Sequence, residues 1–136
     1  MNADIFKAYD IRGVYPDEIS EEDAWKIGHA TARFLPSLVK GYERGRAEST
    51  ALCVGRDMRT HSEPLAQALI EGIRSASVGV IDLGMIDTPQ MYFAINHLGT
   101  SGGVQVTASH NPAKYNGLKI SGRGAIPIGI DTGLKE

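Results

Sequence analysis

Residues 51–84 decide the fold, and they read ALCVGRDMRTHSEPLAQALIEGIRSASVGVIDLG. Ala51–Val54 is a short apolar run of the length expected for a buried strand. Ser62–Pro64 follows as a helix start, with a serine cap and proline in the first turn, and apolar residues continue from there at helical spacing. Val78–Leu83 is a second β-branched run. The order strand, helix, strand predicts a βαβ unit with parallel strands.

Two more helices are predicted on either side of this unit. One begins after Ser20, whose hydroxyl caps the free N–H groups, and ends near Phe34 because Pro36 cannot continue it. The other is opened by Thr88-Pro89, since proline suits the first turn of a helix. Residues 41–50, between the first of these helices and the strand at Ala51–Val54, are polar and interrupted by glycines. They are predicted to form a surface loop.

The remaining apolar runs predict further strands. Gly103–Thr107 and Leu118–Ser121 are the third and fourth candidates, and Ile5–Tyr9 is a short N-terminal strand that precedes a loop at Asp10–Gly13. Strands separated by helical stretches imply a largely parallel sheet covered on both faces. The predicted fold class is therefore α/β, a mixed, mainly parallel sheet with helices on both faces.

The composition argues against several classes of protein. The chain has 136 residues, with 14 Lys and Arg against 16 Asp and Glu, so it lacks the basic surface of a nucleic-acid-binding protein. No apolar run is long enough for a bilayer span, and the N-terminal sequence lacks the apolar stretch of a signal peptide. We therefore expect a cytoplasmic protein without nucleic-acid or membrane partners. The single cysteine, Cys53, is predicted to be an inert buried thiol.

The richest stretch for chemistry is Gly102–Lys119, GGVQVTASHNPAKYNGLK. It begins as a strand and breaks into a loop that contains Ser109, His110 and Asn111. Loops at the carboxyl ends of strands are where α/β proteins bind ligands. Asn116-Gly117 is predicted to make a tight turn that brings the end of this stretch back toward the loop.

Three interpretations of Ser109 are open from the residues alone. A hydrolase nucleophile needs a base and a GxSxG elbow; the elbow is absent and His110 is poorly placed as the base. A phosphate carrier needs cationic donors, which His110, Lys119 and Arg12 would supply in part, and a divalent metal. The third interpretation is a hydroxyl that only stabilises a turn of the loop.

Two other loops compete as anion sites. Asp10–Gly13 offers the Arg12 guanidinium for a bidentate grip on phosphate or carboxylate, or for a simple surface ion pair with Asp10. Gly55–Arg59 follows a strand and precedes a helix, a position where anions are often held. For this second loop we favour a structural role, in which Arg56 and Asp57 brace the loop.

These residues also resemble a known family. Thr107–Pro112 with Tyr115–Lys119 closely resembles the phosphoserine loop of the α-D-phosphohexomutases. Three further stretches resemble the family's other signatures, in the family's order: Phe6–Gly13, Val54–Arg59, and Gly84 with Thr88-Pro89. Four ordered matches favour the phosphate-carrier interpretation of Ser109. Within the family, Phe6–Gly13 and the Tyr115-Asn116 pair are more similar to the phosphomannomutase/phosphoglucomutase branch.

The resemblance implies an isomerase of carbohydrate metabolism that interconverts hexose 1-phosphate and hexose 6-phosphate. A phosphoserine gives its phosphate to the hexose monophosphate, and the bisphosphorylated sugar then turns and returns its other phosphate. The catalytic residues implied are Ser109, His110, Lys119 and Arg12, and the substrate-binding residues are Tyr9 and Asn111. The implied cofactors are Mg²⁺, bound by Ser109 through its phosphate, and a hexose 1,6-bisphosphate activator.

By the same resemblance, residues 1–136 correspond to the first domain of a longer phosphohexomutase. The metal-binding, sugar-binding and phosphate-binding domains are absent from this sequence, and 131–136 is predicted to be the beginning of a helix. The isolated chain is therefore expected to be inactive. The alternative is a non-catalytic sugar-phosphate-binding module derived from this domain, against which the intact Ser109, His110 and Lys119 argue.

Overall fold

The computed structural model describes residues 3–7, 10–36, 51–108 and 111–128. Its strands are β1 (Ile11–Val14), β2 (Leu52–Arg56), β3 (Val80–Met85), β4 (Gly102–Val106) and β5 (Tyr115–Gly122). Its α-helices are α1 (Glu21–Phe34), α2 (Ser62–Ser75) and α3 (Thr88–Leu98). Short 3₁₀ helices span Ala3–Ile5 and Arg123–Ala125. Within the described ranges, no helix is both long and apolar enough to cross a membrane.

The five strands form one sheet in the order β1-β5-β4-β2-β3. β2 pairs in parallel with both β3 and β4, as the predicted βαβ units require. β5 pairs antiparallel with β4, because the segment between these strands is too short for the crossover that a parallel pair needs, and β5 also pairs antiparallel with β1. The α/β class and the mixed sheet are thus confirmed. Among the described strands two pairings are parallel and two are antiparallel, so the predicted excess of parallel pairing is not found.

The helix boundaries follow from local signals. Ser20 caps α1 in a reciprocal capping box with Asp23, and α1 ends at Phe34, as predicted. Thr88-Pro89 opens α3, also as predicted, although the cap itself is Asp87. At α2 the cap position is occupied by His61, without a side-chain cap bond, so the prediction that a serine caps this helix is wrong.

The N-terminal region differs from the prediction. Ala3–Ile5 is a 3₁₀ helix, and Ile11–Val14 is a strand where a loop was expected at Asp10–Gly13. Pairing of Ile11–Val14 with β5 makes this segment a strand. Gly13 serves packing within the strand, since a Cβ on Gly13 would lie 2.9 Å from the Cβ of Glu18. Three predictions concern residues outside the described ranges. They are the part of the N-terminal strand at Ala8 and Tyr9, the whole loop at 41–50 and the whole helix start at 131–136.

The core lies on both faces of the sheet because successive strand residues point to opposite sides. Leu52 and Val54 belong to the apolar cluster that α1 and α2 cover. Cys53 points the other way and is fully buried against Met91 and Ile95 of α3, which confirms the predicted buried thiol. Burial raises the pKa of the Cys53 thiol, so the group stays protonated and inert.

Candidate functional site

A cavity of about 610 Å³ lies on the α3 face of the sheet, at the carboxyl ends of β2, β3 and β4. Asp57 and Thr107 line it from the segments that follow β2 and β4, and Met85–Gln90 lines it from the connection to α3. Lys119 of β5 completes the wall and is half-buried there. The site therefore occupies the edge of the sheet where α/β proteins place ligands.

Two of the predicted cations project from the same face of the sheet. Arg12 pairs with Gly117 across β1 and β5, and Lys119 lies two residues further along β5. Because opposite residues share a face and side chains alternate along a strand, Arg12 and Lys119 lie on one side of neighbouring strands. Arg12 Nε lies 3.2 Å from Asp10 Oδ1, so the surface ion pair considered for this loop is present.

The β4–β5 connection is the segment between β4 and β5, residues 107–114. Within it, Ser109 and His110 lie outside the described residues, as does Tyr9 in the N-terminal region. The Ala108 carbonyl, just before them, accepts hydrogen bonds from the Asn111 backbone N–H at 3.1 Å and from Asn111 Nδ2 at 2.7 Å. The predicted substrate-binding residue Asn111 thus joins the two sides of the Ser109-His110 pair.

Asp57 anchors the end of β2 to its surroundings. Its backbone N–H donates to the Val106 carbonyl at 2.9 Å, and its carboxylate accepts four hydrogen bonds. The donors are the Ser62 hydroxyl at 2.5 Å, the Thr107 hydroxyl at 2.8 Å, and the Arg59 backbone N–H and Nε, both at 3.1 Å.

The chemistry of Asp57 follows from this environment. Burial acts to raise the pKa of the Asp57 carboxyl, but the hydrogen bonds from Ser62, Arg59 and Thr107 outweigh it and hold the pKa below its usual value. An ionised carboxylate with both oxygens engaged is a poor general base. Asp57 therefore has the bracing role favoured from the sequence, with Arg59 as its partner in place of the expected Arg56.

Arg59 extends the brace to the β4–β5 connection. Its side chain is only 9% exposed. Nη2 donates to the Asn111 carbonyl at 2.8 Å, and Nη1 donates to the carbonyls of Pro112 at 2.8 Å and Tyr115 at 3.3 Å. The guanidinium thus links the anchored carboxylate of Asp57 to three backbone oxygens on the carboxyl side of Ser109.

A second set of polar contacts lies beside this brace. The Asn116 side chain, fully buried, donates to Ser62 Oγ at 2.8 Å and to His61 Nδ1 at 2.7 Å. The other ring nitrogen of His61, Nε2, then donates to the Ala113 carbonyl at 2.9 Å, and the ring stacks on Tyr15. Since Ser62 also donates to Asp57, the two sets form one continuous network.

The predicted turn at Asn116-Gly117 is wrong, because both residues lie inside β5. Asn116 is held in the strand by its buried hydrogen bonds. At Gly117 a Cβ would lie 2.0 Å from the Ile11 carbonyl oxygen, so the glycine permits close approach of β1. No pattern in the sequence distinguishes these roles from a turn, since the deciding partners belong to other strands and helices.

The described residues do not by themselves form a Mg²⁺ site. Among them, no group of three or more His, Cys, Asp or Glu side chains is placed to hold a metal ion. Asp57, the carboxylate on the cavity wall, already has both oxygens engaged. A hard cation needs several oxygen ligands, so the described residues cannot hold one by themselves.

Comparisons with known proteins agree with this geometry. The family described as phosphoglucomutase/phosphomannomutase, alpha/beta/alpha domain I, matches residues 3–135. A phosphomannomutase of Escherichia coli K12 is 46% identical over 131 residues, which are 96% of this chain and 26% of the relative. A Klebsiella pneumoniae phosphomannomutase is 44% identical over 96% of this chain and 76% of its own length.

Solved structures give the same result. A phosphoglucomutase/phosphomannomutase family protein from Burkholderia thailandensis superposes with a TM-score of 0.79 and is 38% identical. The match covers 93% of this chain and 28% of that protein. The chain thus spans about a quarter of the length of most relatives described here, with the Klebsiella protein as the exception. With a matching fold, a family signature over nearly every residue and close relatives, the chain belongs to the phosphoglucomutase/phosphomannomutase family and corresponds to its alpha/beta/alpha domain I.

Proposed function

We propose that this domain carries the phosphoserine of a phosphomannomutase/phosphoglucomutase, with Ser109 as the phosphate carrier. The observation that supports this most is the braced β4–β5 connection. The residues on either side of Ser109 and His110 are fixed to each other and to Arg59, beside the cavity that Lys119 lines. A carrier serine needs a backbone segment that is held in one position, because phosphoryl transfer depends mainly on positioning and charge stabilisation.

The proposed reaction consists of two phosphate transfers, first from Ser109 to the sugar and then from the sugar back to Ser109. In the first, a hydroxyl oxygen of the hexose monophosphate attacks the phosphorus on Ser109 and loses its proton to a base, while the bond from phosphorus to Ser109 Oγ breaks and that oxygen takes up a proton. The sugar bisphosphate then turns in the cleft. In the second step Ser109 Oγ gives its proton to a base and attacks the other phosphate, while the bond from phosphorus to the sugar oxygen breaks and that oxygen takes up a proton. Acid and base groups near the serine serve both directions.

The other residues have roles within this proposal. Lys119 and Arg12, on one face of adjoining strands, supply positive charge for the transferring phosphate. His110 follows the carrier directly and serves in proton transfer. Tyr9 and Asn111 contact the substrate; Asn111 is fixed for this by its bonds to the Ala108 carbonyl.

The rest of the machinery is part of the proposal as well. Mg²⁺ would balance the charge on the phosphate of Ser109, with its remaining ligands supplied from outside the residues described here. Selection of the hexose would also lie outside them, as would the grip on the distal phosphate, so residues 1–136 alone are expected to show no mutase turnover. We further propose a cytoplasmic location, where hexose phosphates are found.

The test is phosphate transfer to Ser109 in the whole gene product. The protein is incubated with glucose 1,6-bisphosphate and Mg²⁺, then examined by intact mass and peptide mapping. We expect one phosphate on Ser109, lost when hexose monophosphate is added, and absent from Ser109→Ala. Ser75→Ala, on the exposed end of α2, is the matched control and should label as the wild type does. A folded protein that binds sugar phosphate but never takes up phosphate would favour the non-catalytic binding module.

A further inference from the structure

The β4–β5 connection is held from one direction. Within its described part and the first residue of β5, four carbonyl oxygens accept hydrogen bonds from side chains that precede or begin α2. Arg59 supplies the donors for Asn111, Pro112 and Tyr115, and His61 supplies the donor for Ala113. The path of the connection is therefore set by the segment that follows β2, about 50 residues earlier in the chain.

Arg59 is itself fixed by Asp57. The Asp57 backbone donates to Val106, the last residue of β4, and its carboxylate holds both Arg59 Nε and the Thr107 hydroxyl. Before Ser109, the chain is bound to Asp57 through the Thr107 hydroxyl. After Ser109, it is bound to Arg59 through the Asn111 carbonyl. The Asp57–Arg59 ion pair therefore contacts the chain both before and after Ser109.

An arginine suits this position for a geometric reason. Its planar guanidinium presents five N–H donors in fixed directions, whereas lysine has one compact ammonium group. Arg59 uses Nε for the carboxylate and the two terminal nitrogens for three carbonyls. A lysine would keep the charge, but its single nitrogen could not reach all four oxygens at once.

We infer that Arg59, oriented by Asp57, is a positioning residue for the carrier serine. It acts on the reaction only through the backbone of the β4–β5 connection and touches neither the transferring phosphate nor the sugar. This inference rests on the proposed function, because it gives the position of Ser109 a catalytic meaning. A displacement of the nucleophile by about 1 Å lowers a reaction rate on the order of 100-fold.

The first test measures the brace without any reaction. Amide hydrogen exchange is followed in Arg59→Lys, Arg59→Met and the control Arg74→Met, which alters an exposed arginine in the last turn of α2. In both Arg59 variants we expect at least about tenfold faster exchange at Asn111 and Tyr115, the amides that bond within the connection. Exchange in β2 and at the centre of α1 should stay unchanged, as should every amide in the control.

The second test measures catalysis in the whole gene product. For hexose monophosphate we expect kcat to fall about 100-fold in Arg59→Met, with KM rising less than about tenfold, because Asn111 is the one proposed substrate contact that Arg59 holds in the described part of the chain. Arg59→Lys should recover less than about a tenth of the lost kcat, since the charge alone does not restore the carbonyl contacts. Arg74→Met should keep both constants.

The outcomes separate this inference from the proposed function. Unchanged exchange in the connection, or full recovery of kcat by Arg59→Lys, would overturn the positioning role even if Ser109 is phosphorylated. A wild type that takes up no phosphate would overturn the proposed function, and the exchange data would still decide whether Arg59 holds the connection. If Arg59→Met does not fold, Arg59→Lys gives both measurements.

Discussion

The α1–α2 layer and the β4–β5 connection are both tightly fixed, but by opposite means. The two helices meet through backbone contact at glycines: a Cβ on Gly28 would lie 2.4 Å from the Leu69 carbonyl oxygen, and one on Gly72 would lie 2.0 Å from that of Trp25. The connection is fixed instead by a partly buried carboxylate, a guanidinium and a buried amide. One region depends on the absence of side chains and the other on particular polar ones.

This difference separates stability from function within one small domain. Close-packed helices are a general source of stability and tolerate few changes in volume. Hydrogen bonds to charged groups add modest net stability but fix geometry strongly, because each buried partner is costly to leave unpaired. The polar region lies where phosphate transfer is proposed, and the glycine contacts lie on the opposite face of the sheet.

Gly72→Ala tests the helix contact and should give the largest effect. The three atoms nearest to the added methyl group would be backbone atoms of Trp25 and His29, which cannot move without separating α1 from α2. We expect a loss of about 3 kcal/mol in the free energy of unfolding, despite alanine's better helix propensity. The measurement is urea unfolding followed by circular dichroism.

Gly79→Ala is the matched control for this prediction. A Cβ at Gly79 would meet no atom within 4 Å, so its unfolding free energy should change by less than about 0.5 kcal/mol. If Gly72→Ala were as stable as Gly79→Ala, backbone contact would not be what holds the two helices together.

Asp57→Asn tests the polar region and should have the next largest effect. An amide cannot accept from all four donors that the carboxylate holds, so we expect a loss of about 1.5–3 kcal/mol at neutral pH. Because folding lowers the pKa of Asp57, its contribution is present above the usual value of 3.8 and is lost as the pH falls through the folded pKa.

The pH dependence gives a second reading of the same variant. The wild type should lose stability below about pH 4 more steeply than Asp57→Asn, as measured by thermal unfolding at a series of pH values. Glu71→Gln, which alters an exposed carboxylate on α2, serves as the control and should follow the wild type. Parallel curves for Asp57→Asn and the wild type would mean that the carboxylate is not held ionised by its partners.

The sequence predicts the first region far better than the second. The start of α1 is encoded within four residues by Ser20 and Asp23, and apolar spacing marks the buried face of each helix. The bond between Arg59 and Asn111 joins residues 52 apart, and nothing local in either segment signals it. Of the motif residues, Thr107 and Lys119 line the cavity at the sheet edge. The turn predicted at Asn116-Gly117 is wrong, because the partners that hold Asn116 in the strand, His61 and Ser62, lie more than 50 residues earlier in the chain.

Asp87→Ala should have a smaller effect on stability than Gly72→Ala and Asp57→Asn. It tests whether the capping bonds at the start of α3, on the cavity wall, act only locally. The Asp87 carboxylate accepts from the Gln90 N–H at 2.8 Å, and the Gln90 side chain accepts from the Asp87 N–H at 2.9 Å. Loss of such a cap costs about 1 kcal/mol. Ser20→Ala removes the equivalent cap of α1, where the bond to the Asp23 N–H is 3.4 Å, so it should cost less.

The comparison of these two caps is informative because Asp87 lies on the cavity wall and Ser20 does not. If the caps act only locally, both variants lose stability in that order and keep the exchange rates of the β4–β5 connection. Faster exchange at Asn111 in Asp87→Ala would show that the start of α3 supports the connection, and the brace would then extend beyond Asp57 and Arg59. Because Gln105 Nε2 donates to the Ile86 carbonyl at 2.7 Å, a β4 contact already holds that segment without the cap, so we expect the exchange rates to be kept.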